Sequence, residues 1–240
     1  SPPSSPPQAP GFGIVHFANA MLRDRGDTLE GKRCLILGSG KVARAVAQKL
    51  LEYGAIPVGF SDSSGHVYEP DGFDVGKLAT INKIKGERGA LLGRYIISST
   101  TARFNDPHDP LDIECDLCFP CAGSTDMGNV GEAEVDKLAD GGCRGLIEGG
   151  HAAVTPGGRK ALKKRGLMYG PHTMSLTGNS IAYALGKNAT DARIAEEVGR
   201  IYTDCKLTAQ EFNARGDLYA GSHLAGFLRV ANVMLNHGAV

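Results

Sequence analysis

The 240-residue chain carries 26 Lys and Arg against 26 Asp and Glu, so its formal net charge is zero. This balance argues against a general nucleic-acid binder and against a protein held on anionic membranes. No apolar run approaches the roughly 18 residues that a membrane helix needs. We therefore expect no nucleic-acid partner and no membrane insertion.

The six cysteines lack the spacing of a secreted disulfide framework, which favours a reducing compartment. We expect an intracellular protein, either cytoplasmic or mitochondrial. The first residue is Ser rather than Met, which is compatible with a transit peptide that was removed.

Residues 1–10, SPPSSPPQAP, form a Pro/Ser-rich tail. A stretch of this composition is extended or disordered by itself and cannot order itself by burial. We expect a neighbouring surface to hold it. Residues 14–22 follow with apolar side chains at helical spacing, which predicts an amphipathic helix.

Residues 33–62 have the order strand, glycine turn, helix, strand and acid. The glycine turn is G-S-G-K-V-A at residues 38–43, and apolar residues then recur at helical spacing as far as Gly54. A second apolar run at residues 56–60 leads to Asp62, and a turn is expected directly after it, at residues 63–66.

Each part of this segment suits a bound dinucleotide. Gly38 permits the tight turn, Gly40 lets a pyrophosphate approach the backbone, and Ala43 is small enough for close packing of the helix on the strand. The free N–H groups and the dipole of the helix attract phosphate. Asp62 follows Gly40 by about 20 residues, the distance of an acid that accepts from a ribose hydroxyl. The alternative is a βαβ unit whose glycines serve only the turn.

Further strand-like and helix-like segments alternate along the chain. We expect strands at 95–98, 115–119, 145–147 and 167–169, and helices at 72–85, 131–139 and 156–165. This alternation predicts an α/β fold, a doubly wound parallel sheet of Rossmann type with helices on both faces. From residue 177 onward the pattern is helical only, which predicts a C-terminal helical extension.

Ligands of such sheets sit at the carboxyl ends of the strands. This rule places residues 38–43, Asp62, residues 121–124 and residues 148–151 along one edge. We divide the chain into the tail at 1–10, a dinucleotide-binding domain at 11–185 and C-terminal helices at 186–240.

Two other patterns have simpler interpretations. The C-x-x-C-x-x-C at residues 115–121 suggests a metal or iron–sulfur site, but residues three apart on a strand face opposite sides. Small core residues are the preferred interpretation of these cysteines. The basic helix end at residues 160–165 is typical of a solvated face that complements the helix dipole.

Several short motifs, in this order and spacing, resemble the cofactor-binding half of the glutamate/leucine/phenylalanine/valine dehydrogenases, and of glutamate dehydrogenase in particular. The resemblance runs from about residue 11 to the end of the chain. The motifs are GFG at 11–13, LEGKR at 29–33, GSGKVA at 38–43, SDSSG at 61–65, PCA at 120–122, EG at 148–149 and LAGF at 224–227.

The resemblance implies reversible oxidative deamination of L-glutamate to 2-oxoglutarate with NADP or NAD. The SDSSG run is similar to the hexameric, NADP-preferring branch, since Ser63 and Ser64 suit a 2′-phosphate, whereas Asp62 suits a free 2′-hydroxyl. In that family the catalytic lysine and aspartate lie in a substrate domain that precedes the cofactor half. The motifs carry over a cofactor-binding set that comprises Gly38, Ser39, Gly40, Lys41, Val42, Asp62, Ser63, Ala122, Gly123, Gly149 and His151.

The sequence departs from the family where the nicotinamide would lie. The family's Thr-Gln-Asn run is replaced by residues 123–126, its Glu-Gly-Ala-Asn by residues 148–151, and its Ala-Asn-Ala-Gly-Gly-Val segment by residues 172–177. His151 is a general base, a neighbour of the nicotinamide, or a polar residue in the place of the family's Asn.

Three functions remain open. The first is a catalytically impaired cofactor domain that serves as a structural or interaction subunit of a homo-oligomer or larger assembly. The second is the cofactor-binding part of an active NADP-dependent glutamate dehydrogenase whose substrate domain is elsewhere. The third is a nucleotide-sensing module.

Overall fold

The computed structural model describes residues 8–106, 113–122, 130–236 and 238. In these ranges seven strands form one sheet in the order β4-β3-β2-β1-β5-β6-β7. Of the predicted tail at residues 1–10, residues 1–7 lie outside the described residues. The strands are β1 (Arg33–Leu37), β2 (Ile56–Asp62), β3 (Gly65–Tyr68), β4 (Arg103–Asn105), β5 (Leu117–Pro120), β6 (Gly145–Ile147) and β7 (Met168–Gly170).

Helices cover the sheet and continue to the end of the described chain. They are α1 (Ala9–Arg23), α2 (Lys41–Glu52), α3 (Val75–Gly86), α4 (Glu132–Asp140), α5 (Pro156–Arg165), α6 (His172–Ser175), α7 (Gly178–Leu185), α8 (Asp191–Glu211) and α9 (Leu218–Asn236). The expected helices at 131–139 and 156–165 therefore form within a residue of their predicted bounds.

The fold class is confirmed. Strands β1, β2, β5, β6 and β7 are parallel, and β1 pairs with β2 on one side and with β5 on the other. After β1 the chain adds β2 on one side of it, and β5 later adds on the opposite side. This change of direction is the switch point at which ligands bind in doubly wound sheets.

The sheet differs from the prediction at one edge, where β3 and β4 are antiparallel. The predicted turn after Asp62 is shorter than expected, because His66 already lies in β3 and pairs with Asn105. Residues 95–98, predicted as a strand, lie instead in a 3-10 helix, Leu92–Ser98. Tyr95 is buried there and its hydroxyl donates to Glu69 at 2.8 Å, so a tertiary contact determines this segment rather than its apolar run.

Helix α1 packs against both α2 and the C-terminal helices. A Cβ on Gly13 would lie 2.6 Å from Cα of Gly178 in α7, and a Cβ on Gly178 would lie 2.5 Å from the Ala9 carbonyl. The two backbones therefore touch directly. One core cluster holds Phe17 of α1 together with Val198 and Tyr202 of α8, so the core continues across the boundary predicted at residue 186.

A polar cluster joins α1, α2 and α8. His16 lies 2.8 Å from Asp191 through Nε2 and 2.9 Å from the hydroxyl of Tyr53 through Nδ1. Lys49, only 4% exposed, donates to Asp191 at 2.9 Å and pairs with Glu52. The polar groups buried where the three helices meet are thus bonded to one another, as buried polar groups must be.

Candidate functional site

The glycine turn lies where the topology reverses, between the carboxyl ends of β1 and β5. Gly38 has φ +116°, and a Cβ there would lie 3.0 Å from the backbone nitrogen of Ala122. Its N–H donates to the hydroxyl of Ser61 at 2.7 Å. Gly38 is therefore required both by its backbone conformation and by the close approach of the neighbouring strand end.

Gly40 differs from Gly38. It is the N-cap of α2 with φ −69° and ψ −175°, an extended conformation that any residue adopts, and a Cβ there would meet nothing within 4 Å. Gly40 and Lys41 are exposed. The first N–H groups of a helix have no partner within the helix, so this helix start presents donors to an open space, the arrangement that binds phosphate. Ala43 is fully buried, which allows α2 to pack closely on the sheet.

The ends of β1, β5 and β6 are bonded into one edge. The N–H groups of Cys121 and Ala122 donate to the carbonyl of Leu37 at 2.7 and 2.9 Å, and that of Gly149 donates to Pro120 at 2.8 Å. Cβ atoms on Gly149 and Gly150 would overlap Cys121 and Ala122 respectively. The predicted edge is formed by residues 38–43, Asp62, Cys121, Ala122 and residues 148–151, whereas Gly123 and Ser124 lie outside the described residues.

Both carboxylate oxygens of Asp62 accept hydrogen bonds from other groups of the protein. Its Oδ1 accepts from the N–H of Ser64 at 2.9 Å and from its hydroxyl at 2.5 Å, and its Oδ2 accepts from Lys85 at 3.0 Å and from the N–H of Leu92 at 2.8 Å. Burial raises the pKa of Asp62, but these hydrogen bonds outweigh it, and the pKa lies below its ordinary value. The carboxylate anchors the turn and the 3-10 helix, while Ser63 is exposed at the tip of the turn.

Glu148 is fully buried at the carboxyl end of β6. Its Oε1 accepts from the N–H of Val154 at 2.7 Å. Its Oε2 accepts from the hydroxyl of Tyr169 at 2.8 Å and from the N–H of His172 at 2.7 Å, and lies 2.9 Å from His172 Nδ1. Burial raises the pKa of Tyr169, and the adjacent Glu148 raises it further. This carboxylate thus fastens β7 and α6 to the edge.

His151 lies just beyond Glu148 and is exposed. Its ring packs edge-on against that of His172, with 4.8 Å between the centroids. The structure therefore aligns a buried carboxylate, a half-buried imidazole and an exposed imidazole. An acid bonded to an imidazole orients the ring and fixes its tautomer, so Glu148 positions His172, and His172 in turn packs against His151.

The assignment of the predicted set to a cofactor stays a prediction, although the structure locates most of its members. Gly38, Gly40, Lys41, Ala122 and Gly149 adjoin the switch point. Sequence reasoning missed the groups that lock this edge, which are Ser61, Lys85, Leu92, Tyr169 and His172. Ser61 belongs to the SDSSG run and was therefore detectable, whereas no local pattern marks Lys85 or Tyr169.

Five of the six cysteines are buried, and Cys121 is partly buried against the core. All six thiols are free, and Cys115, Cys118 and Cys143 lie in one buried cluster. Cys115 precedes β5 rather than lying on it, so the argument from opposite strand faces does not apply. Across the residues described, no three His, Cys, Asp or Glu side chains are grouped to hold a metal. The same residues include no helix whose length and apolar character would let it cross a bilayer.

The sequence matches known proteins along almost its whole length. The model of the family "Glutamate/Leucine/Phenylalanine/Valine dehydrogenase" matches residues 4–238. The NADP-specific glutamate dehydrogenase of Chlorella sorokiniana is 33% identical over 98% of this chain and 46% of its own length. That of Haemophilus influenzae is 31% identical over 97% of this chain and 54% of its own length.

Solved structures agree with the sequence matches. Plasmodium falciparum glutamate dehydrogenase 2 superimposes with a TM-score of 0.87 at 32% identity, over 97% of this chain and 53% of that one. The hetero-hexameric glutamate dehydrogenase of Thermus thermophilus shares the fold, with a TM-score of 0.74 at 19% identity over 93% of this chain and 52% of that one. The chain spans about half the length of the curated relatives it matches. It belongs to the glutamate/leucine/phenylalanine/valine dehydrogenase family and corresponds to a glutamate-dehydrogenase-like cofactor-binding domain.

Proposed function

We propose that the chain binds NADP, in preference to NAD, at the turn formed by residues 38–42. The observation that carries the proposal is the open start of α2, where Gly40 leaves the space beside the helix N-terminus unfilled. The pyrophosphate would lie against the N–H groups of Lys41 and Val42. Bound NADP would supply a hydride acceptor, and the residues of this edge would hold and orient it.

The state of Asp62 supports the preference for NADP. An acid that selects NAD accepts a hydrogen bond from the ribose 2′-hydroxyl, but both oxygens of Asp62 already accept two bonds each. Ser63 is exposed at the tip of the same turn and offers a hydroxyl to a 2′-phosphate. The NADP-specific enzymes named above are consistent with this choice.

We further propose that glutamate oxidation is impaired in this chain, which then serves as a structural or interaction subunit. His172 opens the segment that the resemblance places over the nicotinamide, and both its backbone N–H and its Nδ1 are held by Glu148. The outer face of α9 supports contact with other protein, since Phe227, Val230 and Leu235 are more than half exposed. The glutamate dehydrogenase of Thermus thermophilus, which shares this fold, is a hetero-hexamer.

Coenzyme binding is tested by titrating the chain with NADPH and with NADH while nucleotide fluorescence is recorded. We expect NADPH to bind at least tenfold more tightly than NADH. The Gly40→Asp variant should lose NADPH binding, because a carboxylate at the N-cap of α2 repels the pyrophosphate. Unchanged affinity in Gly40→Asp, or equal affinity for the two nucleotides, would contradict the proposal.

Catalysis is tested separately, by glutamate-dependent reduction of NADP⁺ in the complete natural complex. Impairment predicts turnover far below the roughly 10 s⁻¹ that is typical of enzymes. Turnover in the ordinary range would instead support the second function, the cofactor-binding part of an active dehydrogenase. NADPH binding without turnover and without a protein partner would support a nucleotide sensor.

A further inference from the structure

A second concave site lies at the end of the sheet formed by β7. It is a cavity of about 510 Å³ between α5, the residues leading into β7, the connection from α8 to α9, and the end of α1. None of the predicted cofactor-binding residues lines it. Small-molecule sites usually have volumes of about 300–1,000 Å³, so the cavity is large enough for a metabolite and too small for a folded partner.

The lining of this cavity is strongly cationic. Arg25, Arg159, Lys160, Lys163 and Arg215 face it, and the acidic side chain among its lining residues is that of Asp217. Asp217 accepts from the N–H of Ala220 at 3.0 Å and so helps to begin α9. Five cations therefore surround a space that holds one carboxylate, although the chain as a whole is neutral.

None of the five cations forms an ion pair with a described residue, although Asp24, which pairs with Lys206, is also close enough to Arg25 to interact with its charge. Arg165, on the same helix but outside the cavity, pairs with Asp136 and Asp140. Most of the positive charge at the cavity is therefore uncompensated, and it attracts an anion.

Two of the arginines are held in place. Arg25 donates to the carbonyl of Met21 at 3.0 Å, and Arg159 donates to that of Val154 at 3.2 Å. The guanidinium of Arg159 also lies 4.5 Å from the ring centroid of Tyr219, in cation–π contact. Such fixed forks are well suited to phosphate oxygens.

The rest of the lining is apolar. Leu162 and Leu218 are buried, and Leu167 and Met168 are half-buried. An inorganic anion alone would leave this surface uncovered, whereas an organic anion would cover it. We propose that the cavity binds a small phosphate ester, with the phosphate on the cationic side chains and the organic group on the leucines and Met168.

The proposal is tested by isothermal titration of the full chain at constant ionic strength with inorganic phosphate and with 4-nitrophenyl phosphate. We expect the ester to bind about tenfold more tightly than inorganic phosphate, because only the ester covers the apolar side chains. In the Lys160→Gln/Lys163→Gln double variant both affinities should fall at least tenfold, since charge-assisted bonds to phosphate are lost. Both lysines are exposed, so the variant should fold.

Two controls decide between the outcomes. Lys164→Gln removes an exposed cation from the same helix that does not line the cavity, and it should bind both probes like the parent chain. Gly40→Asp removes phosphate binding at the glycine turn and should leave the cavity unaffected, whether or not the chain binds NADP. No measurable binding of the ester, equal losses in Lys164→Gln and the double variant, or loss in Gly40→Asp alone would overturn the proposal.

Discussion

Two regions of the same sheet edge differ in whether their polar groups are exposed or are buried and hydrogen-bonded within the protein. At the start of α2, Gly40 and Lys41 are exposed and the helix N–H groups face open space. At the end of β6, Glu148 is buried and its two oxygens are bonded to Val154, Tyr169 and His172. Polar groups at this one edge therefore have two roles, ligand binding and stabilisation of the fold. The first region keeps donors available to a ligand, and the second uses its acceptor to hold the fold together.

The largest expected effect comes from the second region. Glu148→Ala should lower the free energy of unfolding by about 3–5 kcal/mol, because several buried donors lose their acceptor together. Urea denaturation followed by circular dichroism measures this loss. The control is Glu196→Ala, at an exposed position on α8, which should change stability by less than about 0.5 kcal/mol. Similar losses in both variants would show that the bonds of Glu148 add little to stability.

The next effect separates the two glycines of the open region. Gly38→Ala should cost about 1–3 kcal/mol of unfolding free energy, because φ is +116° and the new Cβ would press on Ala122. Gly40→Ala should cost less than about 1 kcal/mol, yet weaken NADPH binding about tenfold by filling the space beside the phosphate. Urea denaturation and nucleotide fluorescence on both variants check the pair. Equal stability of the Gly38→Ala and Gly40→Ala variants would contradict the view that Gly38 is needed by the turn and Gly40 by the ligand.

A smaller effect tests the outer part of the open region. Ser63→Glu should weaken NADPH binding about tenfold, or about 1.4 kcal/mol, because a carboxylate at the tip of the turn repels the 2′-phosphate. NADH lacks that phosphate, so its affinity should stay within about threefold. Fluorescence titration of both nucleotides measures the ratio. Ser180→Glu, an exposed change on α7, should leave the ratio unchanged.

The smallest effect concerns a third bonded cluster, that of His16. Burial lowers the pKa of His16 from its ordinary value of 6.5, and the opposing bond to Asp191 does not restore it. Tyr53, Lys49 and Glu52 also adjoin this cluster. The unfolded chain therefore binds more protons, and stability should fall as the pH falls below 6.5 towards the lower pKa of the folded state.

The slope of this change is at most about 1.4 kcal/mol per pH unit for one histidine. Thermal unfolding between pH 7.5 and pH 5.5 measures the slope, and His16→Gln should flatten it. An unchanged slope in His16→Gln would show that another group causes the acid sensitivity.

The sequence predicted those parts of the edge that depend on local pattern. The turn, the helix after it and the small Ala43 follow one another within a few residues, and each constrains the backbone by itself. The role of Asp62 was not predictable in the same way. Lys85 and the N–H of Leu92 occupy its Oδ2 from far along the chain, and only the folded structure brings them to it.

The secondary structure of short segments was not predictable for a related reason. The apolar run at residues 95–98 suits a strand or a helix equally well over so few positions, and the bond of Tyr95 to the buried Glu69 decides between them. Strands β3 and β4 contain only four and three residues. They lie at the edge of the sheet, where pairing rather than composition defines a strand.

The direct contact between Gly13 and Gly178 bears on the order in which the protein folds. Helix α1 is synthesised well before its backbone partner in α7 and before Tyr202 in α8, the aromatic partner of Phe17. Contacts between distant segments form slowly, because a long loop must close first. Helix α1 should therefore reach its final position only after α8 has been synthesised, and until then its apolar face lacks the partners that bury it.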